Sequence, residues 1–252
     1  MAASGERAAL DEAVAGLYSA FRGRRLPMPQ PTVCTGCCAS PEAMARLGTT
    51  PLGEVGLADL REFHDAARSD LAGEEVAYFA PRTLDLVGQG FVPMTAGLFA
   101  LFPGRPSIWP ELAEGERDAL RDALAALMAW RLTVADRATC GWRVGELIEM
   151  ATCGGMEMEP LLAVIAEPPD DPVAAENLAD LVLHGGCYWG RDRPRLDGVP
   201  TERRQEMGAG LRAALSAPGA LALLERAALS DGEPDLAGRA SAAHQIAERL
   251  EA

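Results

Sequence analysis

Apolar positions recur along this chain at helical spacing, not in strand-like alternation. Leu10, Val14, Leu17, Tyr18 and Phe21 fall on one stripe. Arg22, Arg24 and Arg25 follow, where positive charge suits the end of a helix. The segment from Leu26 to Pro31 carries three prolines and predicts an extended connector. Ser40, Pro41 and Glu42 read as an N-cap, a first-turn proline and a first-turn acid, so a short helix is expected to start there and to stop at Gly48. Over 57–69, Leu57, Leu60, Phe63, His64 and Ala67 cluster on one side of a predicted helix. The next helix, over 74–87, contains Pro81, where a kink or a fresh start is expected. Residues 90–111 hold Pro93, Pro103, Pro106 and Pro110, which leaves room for a short helix near 95–102.

The second half repeats the pattern. Residues 114–139 form the longest predicted helix, striped by Leu120, Leu124, Leu127, Val134 and Ala138. Shorter helices are expected over 143–153, stopped by Gly154 and Gly155, and over 158–166, stopped by Pro168 and Pro169. Asp171 and Pro172 cap another, with Val173, Leu178, Leu181 and Val182 inward and Gly185 and Gly186 at its end. A loop over 188–200 precedes three further helices near 201–215, 218–229 and 236–250. Composition agrees: the 252 residues include 46 Ala and 32 Leu, against 26 for Val, Ile and Thr together. The expected fold is all-α, an irregular bundle or short stack of about ten helices. No fixed repeat period is visible, so helix-pair repeats stay the alternative. The expected organisation is one domain over 1–252, with residues 90–111 as the place where two lobes would divide.

Charge narrows the chemistry. The formal net charge of −14 disfavours phosphate backbones and anionic lipid, so neither nucleic acid nor membrane is an expected partner. All 23 basic residues are Arg, which removes Walker-type, Schiff-base and kinase-type lysine chemistry together. No run of 18 apolar residues occurs, and Met1 to Leu10 lacks an apolar signal core, so a cytoplasmic location is expected. Abundant Ala, Arg and Gly without Lys point to a GC-rich bacterial gene. Six Cys are too few for a disulfide framework, so thiols or metal ligands are expected.

The sharpest local feature is Cys34-x-x-Cys37-Cys38. Two thiolates at this spacing can grip one tetrahedral zinc ion. The best second pair in the sequence is His184-Gly-Gly-Cys187, so the expected ligand set is Cys34, Cys37, His184 and Cys187, with Cys140 and Cys153 as substitutes. A closed four-ligand site would be structural, whereas a catalytic zinc would keep one position for water. Ordinary buried thiols are the competing reading, and a redox pair at Cys34 and Cys37 lacks the expected β-α-β context.

His64 on an apolar helix face reads as a hydrogen-bonded core histidine, while His64 with Arg82 and Asp85 marks the place where a small-molecule enzyme would work. Glu146 and Glu149 share a helix face near Glu157 and Glu159, and read as a solvated face. Arg191, Arg193 and Arg195, near Arg203 and Arg204, form a basic patch suited to an acidic partner or to internal charge balance.

The cysteine cluster, the capped helix after it, Thr50-Pro51-Leu52-Gly53-Glu54-Val55, Asp59-Leu60-Arg61-Glu62-Phe63 and Tyr78-Phe79-x-Pro81-Arg82-x-Leu84-Asp85-Leu86 go together. This combination resembles an uncharacterised family of bacterial cytosolic helical proteins. Its members carry an N-terminal Cys cluster and a Phe-x-Pro-Arg-x-Leu-(Asp/Glu)-Leu segment. The resemblance covers 34–86 and, more loosely, 171–229, where Asn177 stands in place of a His before Leu178. It implies an all-helical fold and no activity. The reading at this point is a non-catalytic interaction or scaffold protein whose partner is another protein, with a structural zinc as an accessory. The alternative is a metal-dependent enzyme or metal-binding protein using the Cys cluster.

Overall fold

The computed structural model describes residues 2–66, 72–90, 109–135, 144–153, 156–184, 201–230 and 234–250. Among the described residues the architecture is all-α, with no strand. The helices are α1 (Ala2–Ala20), α2 (Pro41–Thr49), α3 (Leu57–Asp65), α4 (Ala72–Gly88), α5 (Glu114–Leu132) and α6 (Val144–Cys153). They continue as α7 (Glu159–Ala166), α8 (Pro172–His184), α9 (Thr201–Leu215), α10 (Pro218–Ala228) and α11 (Pro234–Ala247). Single 3-10 turns occupy Phe21–Gly23, Leu52–Glu54 and Trp109–Glu111.

Helix α5 holds the bundle together. It packs on α1 along one side and touches α6, α7 and α8 on others. Its stripe of Leu120, Leu124 and Leu127 is buried, as their spacing requires. Beyond it, α7 packs on α9, α8 on α10 and α11, and α10 on α11. The buried residues, from Leu10 in α1 to Ala247 in α11, form one cluster.

Polar side chains fix how the helices meet. The Arg24 guanidinium forks onto Glu116, with both bonds at 2.7 Å. Glu116 also accepts the Ala113 N–H that opens α5. At the other end of α5, the Asn177 amide from α8 donates to the carbonyl oxygens of Leu132 and Val134, at 2.9 and 3.3 Å. Arg7 donates to the Gly88 carbonyl at the end of α4 and lies 5.2 Å from the centre of the Trp130 ring. Arg203 on α9 donates to the carbonyls of Thr152 and Met156, tying α9 to the end of α6 and the turn after it.

Several boundaries differ from the sequence pattern. Helix α2 runs through Gly48 to Thr49. Gly48 is needed for space: an added Cβ would overlap the Pro29 carbonyl of the proline-rich connector, which crosses the helix here. Helix α4 continues through Pro81 without a break. The residues around Pro81 are buried on both sides, Ala77 and Leu84 fully, so packing outweighs the lost backbone bond. The helix ends at Gly88, and the turn after it holds Gly90, whose φ of 103° suits glycine. Helix α5 stops at Leu132, so Val134 lies beyond it, because Asn177 satisfies the terminal carbonyls. Leu57, expected inward, is 46% exposed at the first turn of α3. The predicted helix over 95–102 lies outside the described residues, as does most of the 90–111 division.

No single helix among the described residues is long and apolar enough to cross a membrane. The bent pair α9–α10 passes by length and composition alone, yet Met207, Leu211, Leu215, Leu223 and Leu224 on it are buried in the shared core.

Candidate metal centre

Cys34, Cys37 and Cys38 lie on a single turn between the proline-rich connector and α2. The Ala39 N–H donates to the Cys34 carbonyl at 3.1 Å and closes the turn. Ser40 then caps α2, its Oγ accepting the Ala43 N–H. A carboxylate from α3 grips that cap: Glu62 Oε2 accepts both the Ser40 N–H, at 2.7 Å, and its hydroxyl, at 2.8 Å. These two donors hold the Glu62 carboxyl below its ordinary value of 4.5. At the other end of the loop, the Thr32 N–H donates to Oε1 of the fully buried Glu75 on α4, at 2.7 Å.

This frame brings three sulfurs together. Cys34 Sγ lies 3.5 Å from Cys37 Sγ, which lies 3.3 Å from Cys38 Sγ. All three are within 4.8 Å of one another. Sulfurs on one tetrahedral zinc with bonds of ~2.3 Å sit about 3.8 Å apart. The three thiols therefore already occupy close to one face of such a tetrahedron. Their separations are non-bonded, well beyond the ~2.05 Å of a disulfide. Cys37 is exposed and Cys34 half-buried, so the face opens to solvent. No His, Asp or Glu among the described residues joins the three sulfurs at the same spacing.

The thiols also share protons. Hydrogen bonding from Cys37, then from the Cys37 and Gly36 backbone, draws the Cys34 thiol down to about 7. Its bonds with Cys38 and then Cys34 push Cys37 up to about 11. Cys34 thus becomes a thiolate, the form that binds metal, before Cys37 does.

Of the four ligands expected from sequence, the structure brings Cys34 and Cys37 together and adds Cys38. Cys187 lies outside the described residues, as does Cys140. His184 and Cys153 are the last residues of α8 and α6. The third sulfur was visible in the motif, but a Cys-Cys step usually points its two side chains apart. Only the tight turn at 35–38 aims Cys38 back toward Cys37. Glu62 and Glu75 gave no signal, because their reach to the loop depends on how α3 and α4 pack.

The other candidate residues that the structure describes are bonded within the fold. His64 is buried, and its Nε2 lies 3.0 Å from Thr83 Oγ1. The Thr83 hydroxyl donates to the Phe79 carbonyl, so His64 Nε2–H is the donor to Thr83. Arg82 donates to the Val55 carbonyl at 2.8 Å and to Asp85 at 2.6 Å. Tyr18 donates to Asp85 as well, and burial followed by the Asp85 charge pushes its hydroxyl up to about 12. These residues lock α1, α4 and the 52–55 turn together. Glu157 pairs with Arg121 at 2.7 Å. Arg191, Arg193 and Arg195 lie outside the described residues. Comparison of the chain with protein-family models, curated proteins and solved structures finds no match.

Proposed function

We propose that this is a helical metal-binding protein that holds a soft cation, zinc foremost, on Cys34, Cys37 and Cys38. The observation that carries this reading is the convergence of three sulfurs on one turn, at 3.5 and 3.3 Å along the chain of contacts. Thiolates select zinc and other soft ions over calcium and magnesium, which take oxygen ligands. The reading is non-catalytic: His64, Arg82 and Asp85, the residues on which an enzyme was conceivable, are engaged in holding helices together.

Zinc titrated into the reduced protein in competition with a chromophoric chelator tests this. The expected result is one ion per chain. Each of Cys34→Ser, Cys37→Ser and Cys38→Ser should weaken binding by more than the roughly 10-fold that loss of an outer-shell partner costs. Cadmium in place of zinc should give a sulfur-to-metal charge-transfer band that falls with each substitution. Binding that none of the three variants weakens would overturn the assignment, and so would no binding at all.

A further inference from the structure

We propose that the ion on Cys34, Cys37 and Cys38 is exchangeable, entering and leaving a loop that the protein holds in place by other means, so that the site passes a soft cation to and from thiol ligands outside the chain. This rests on the metal-binding reading above.

The first ground is how the loop is anchored. Thr32 is bound to the buried Glu75, Ser40 to Glu62 through two hydrogen bonds, and Ala39 to the Cys34 carbonyl. None of these bonds uses a sulfur. The second ground is the core beneath. Ala43, Met44 and Leu47 of α2 and Leu60 and Phe63 of α3 are all at most 1% exposed. The Phe63 ring packs 4.9 Å from that of Phe79 on α4. Apolar burial of this kind stabilises α2 and α3 without a metal. Structural zinc sites behave differently: they are closed by four ligands, and metal binding supplies the folding free energy of the domain.

The third ground is access. Three sulfurs take three corners of a tetrahedron, no His, Asp or Glu among the described residues takes the fourth, and Cys37 is exposed at that edge. An incoming thiolate binds the ion at the fourth corner. The bond from the ion to Cys37 Sγ then breaks, and the released sulfur takes up a proton from water. Repetition at Cys38 and Cys34 completes the transfer. The ion keeps its charge throughout, and no electron moves.

The test uses the full chain loaded with zinc. Release to a chromophoric chelator is followed by stopped flow at several concentrations of glutathione, and the zinc-free and zinc-loaded proteins are melted side by side by circular dichroism. The expected result is transfer that speeds up in proportion to glutathione, with helix content unchanged by zinc removal and the melting midpoint lowered only as far as mass action by a native-state ligand requires. Loss of helix content on zinc removal would overturn exchange and make the ion a staple. Release that ignores glutathione would overturn it too. In both cases zinc binding itself would stand. A chain that takes up no zinc before the experiment begins would instead remove the metal-binding reading, and this inference with it.

Discussion

At the residue scale, protons and partners decide what each polar group does. Cys34, drawn from its ordinary 9.0 to about 7, becomes a thiolate while Cys37 still holds its proton. Protons compete with metal for sulfur. Zinc affinity should therefore fall as pH drops through the neutral range, which chelator competition at stepped pH would measure; an affinity flat across that range would contradict it. Glu62 depends on acid with the same sign, through fold stability instead of metal affinity. Its folded value is depressed by the two Ser40 donors. A depressed carboxylate stabilises the fold above its ordinary range, and that contribution is lost as pH falls through the folded value. Glu62→Gln should accordingly flatten the acid limb of stability against pH, read from melting midpoints. The Arg24–Glu116 fork is more enclosed, with side chains 19% and 11% exposed. Removing one partner strands the other, so Glu116→Ala should cost about 3 kcal/mol in denaturant unfolding. A loss under half that would mean water replaces the fork.

At the element scale, local signals were legible wherever the deciding partner lies within a few residues. Ser40 and Pro41 mark the start of α2, and Asp171 and Pro172 that of α8, where Asp171 Oδ1 accepts the Val173 N–H at 2.8 Å. Ends set by distant groups were not legible. Gly48 looked like a stop because glycine often is one, yet its role is to let Pro29 pass. Pro81 looked like a break because burial on both sides of α4 cannot be read from one helix. Two glycines separate these effects. Gly48→Ala should destabilise, since backbone at Pro29 must move. Gly210→Ala meets only the Leu162 Cδ1 methyl at 2.6 Å, which a rotamer change relieves, and gains about 1 kcal/mol of helix propensity. Thermal melts of both variants should place Gly210→Ala at or above the parent and Gly48→Ala clearly below it. Equal shifts would show that the connector does not press on α2.

At the scale of the whole molecule, the all-α class followed from helical periodicity and from the excess of Ala and Leu over β-branched residues, and the structure agrees. The central place of α5 did not follow, because stripes say which face is buried but not which helix covers it. The site was half legible for the same reason. Cys34 and Cys37 stood out by spacing, while a tight turn decided that Cys38 joins them. The account separates stability from metal binding in space. Leu120, fully buried in α5, supports the fold, so Leu120→Ala should cost about 3 kcal/mol and leave zinc affinity unchanged. The central claim, that three thiols of one turn hold a metal, is tested most directly by native mass spectrometry of the purified, untagged protein beside a Cys34→Ser/Cys37→Ser variant. The account predicts one zinc per chain in the parent and none in the variant, with both retaining the same helix content. No metal in either protein, or the same metal in both, would contradict it.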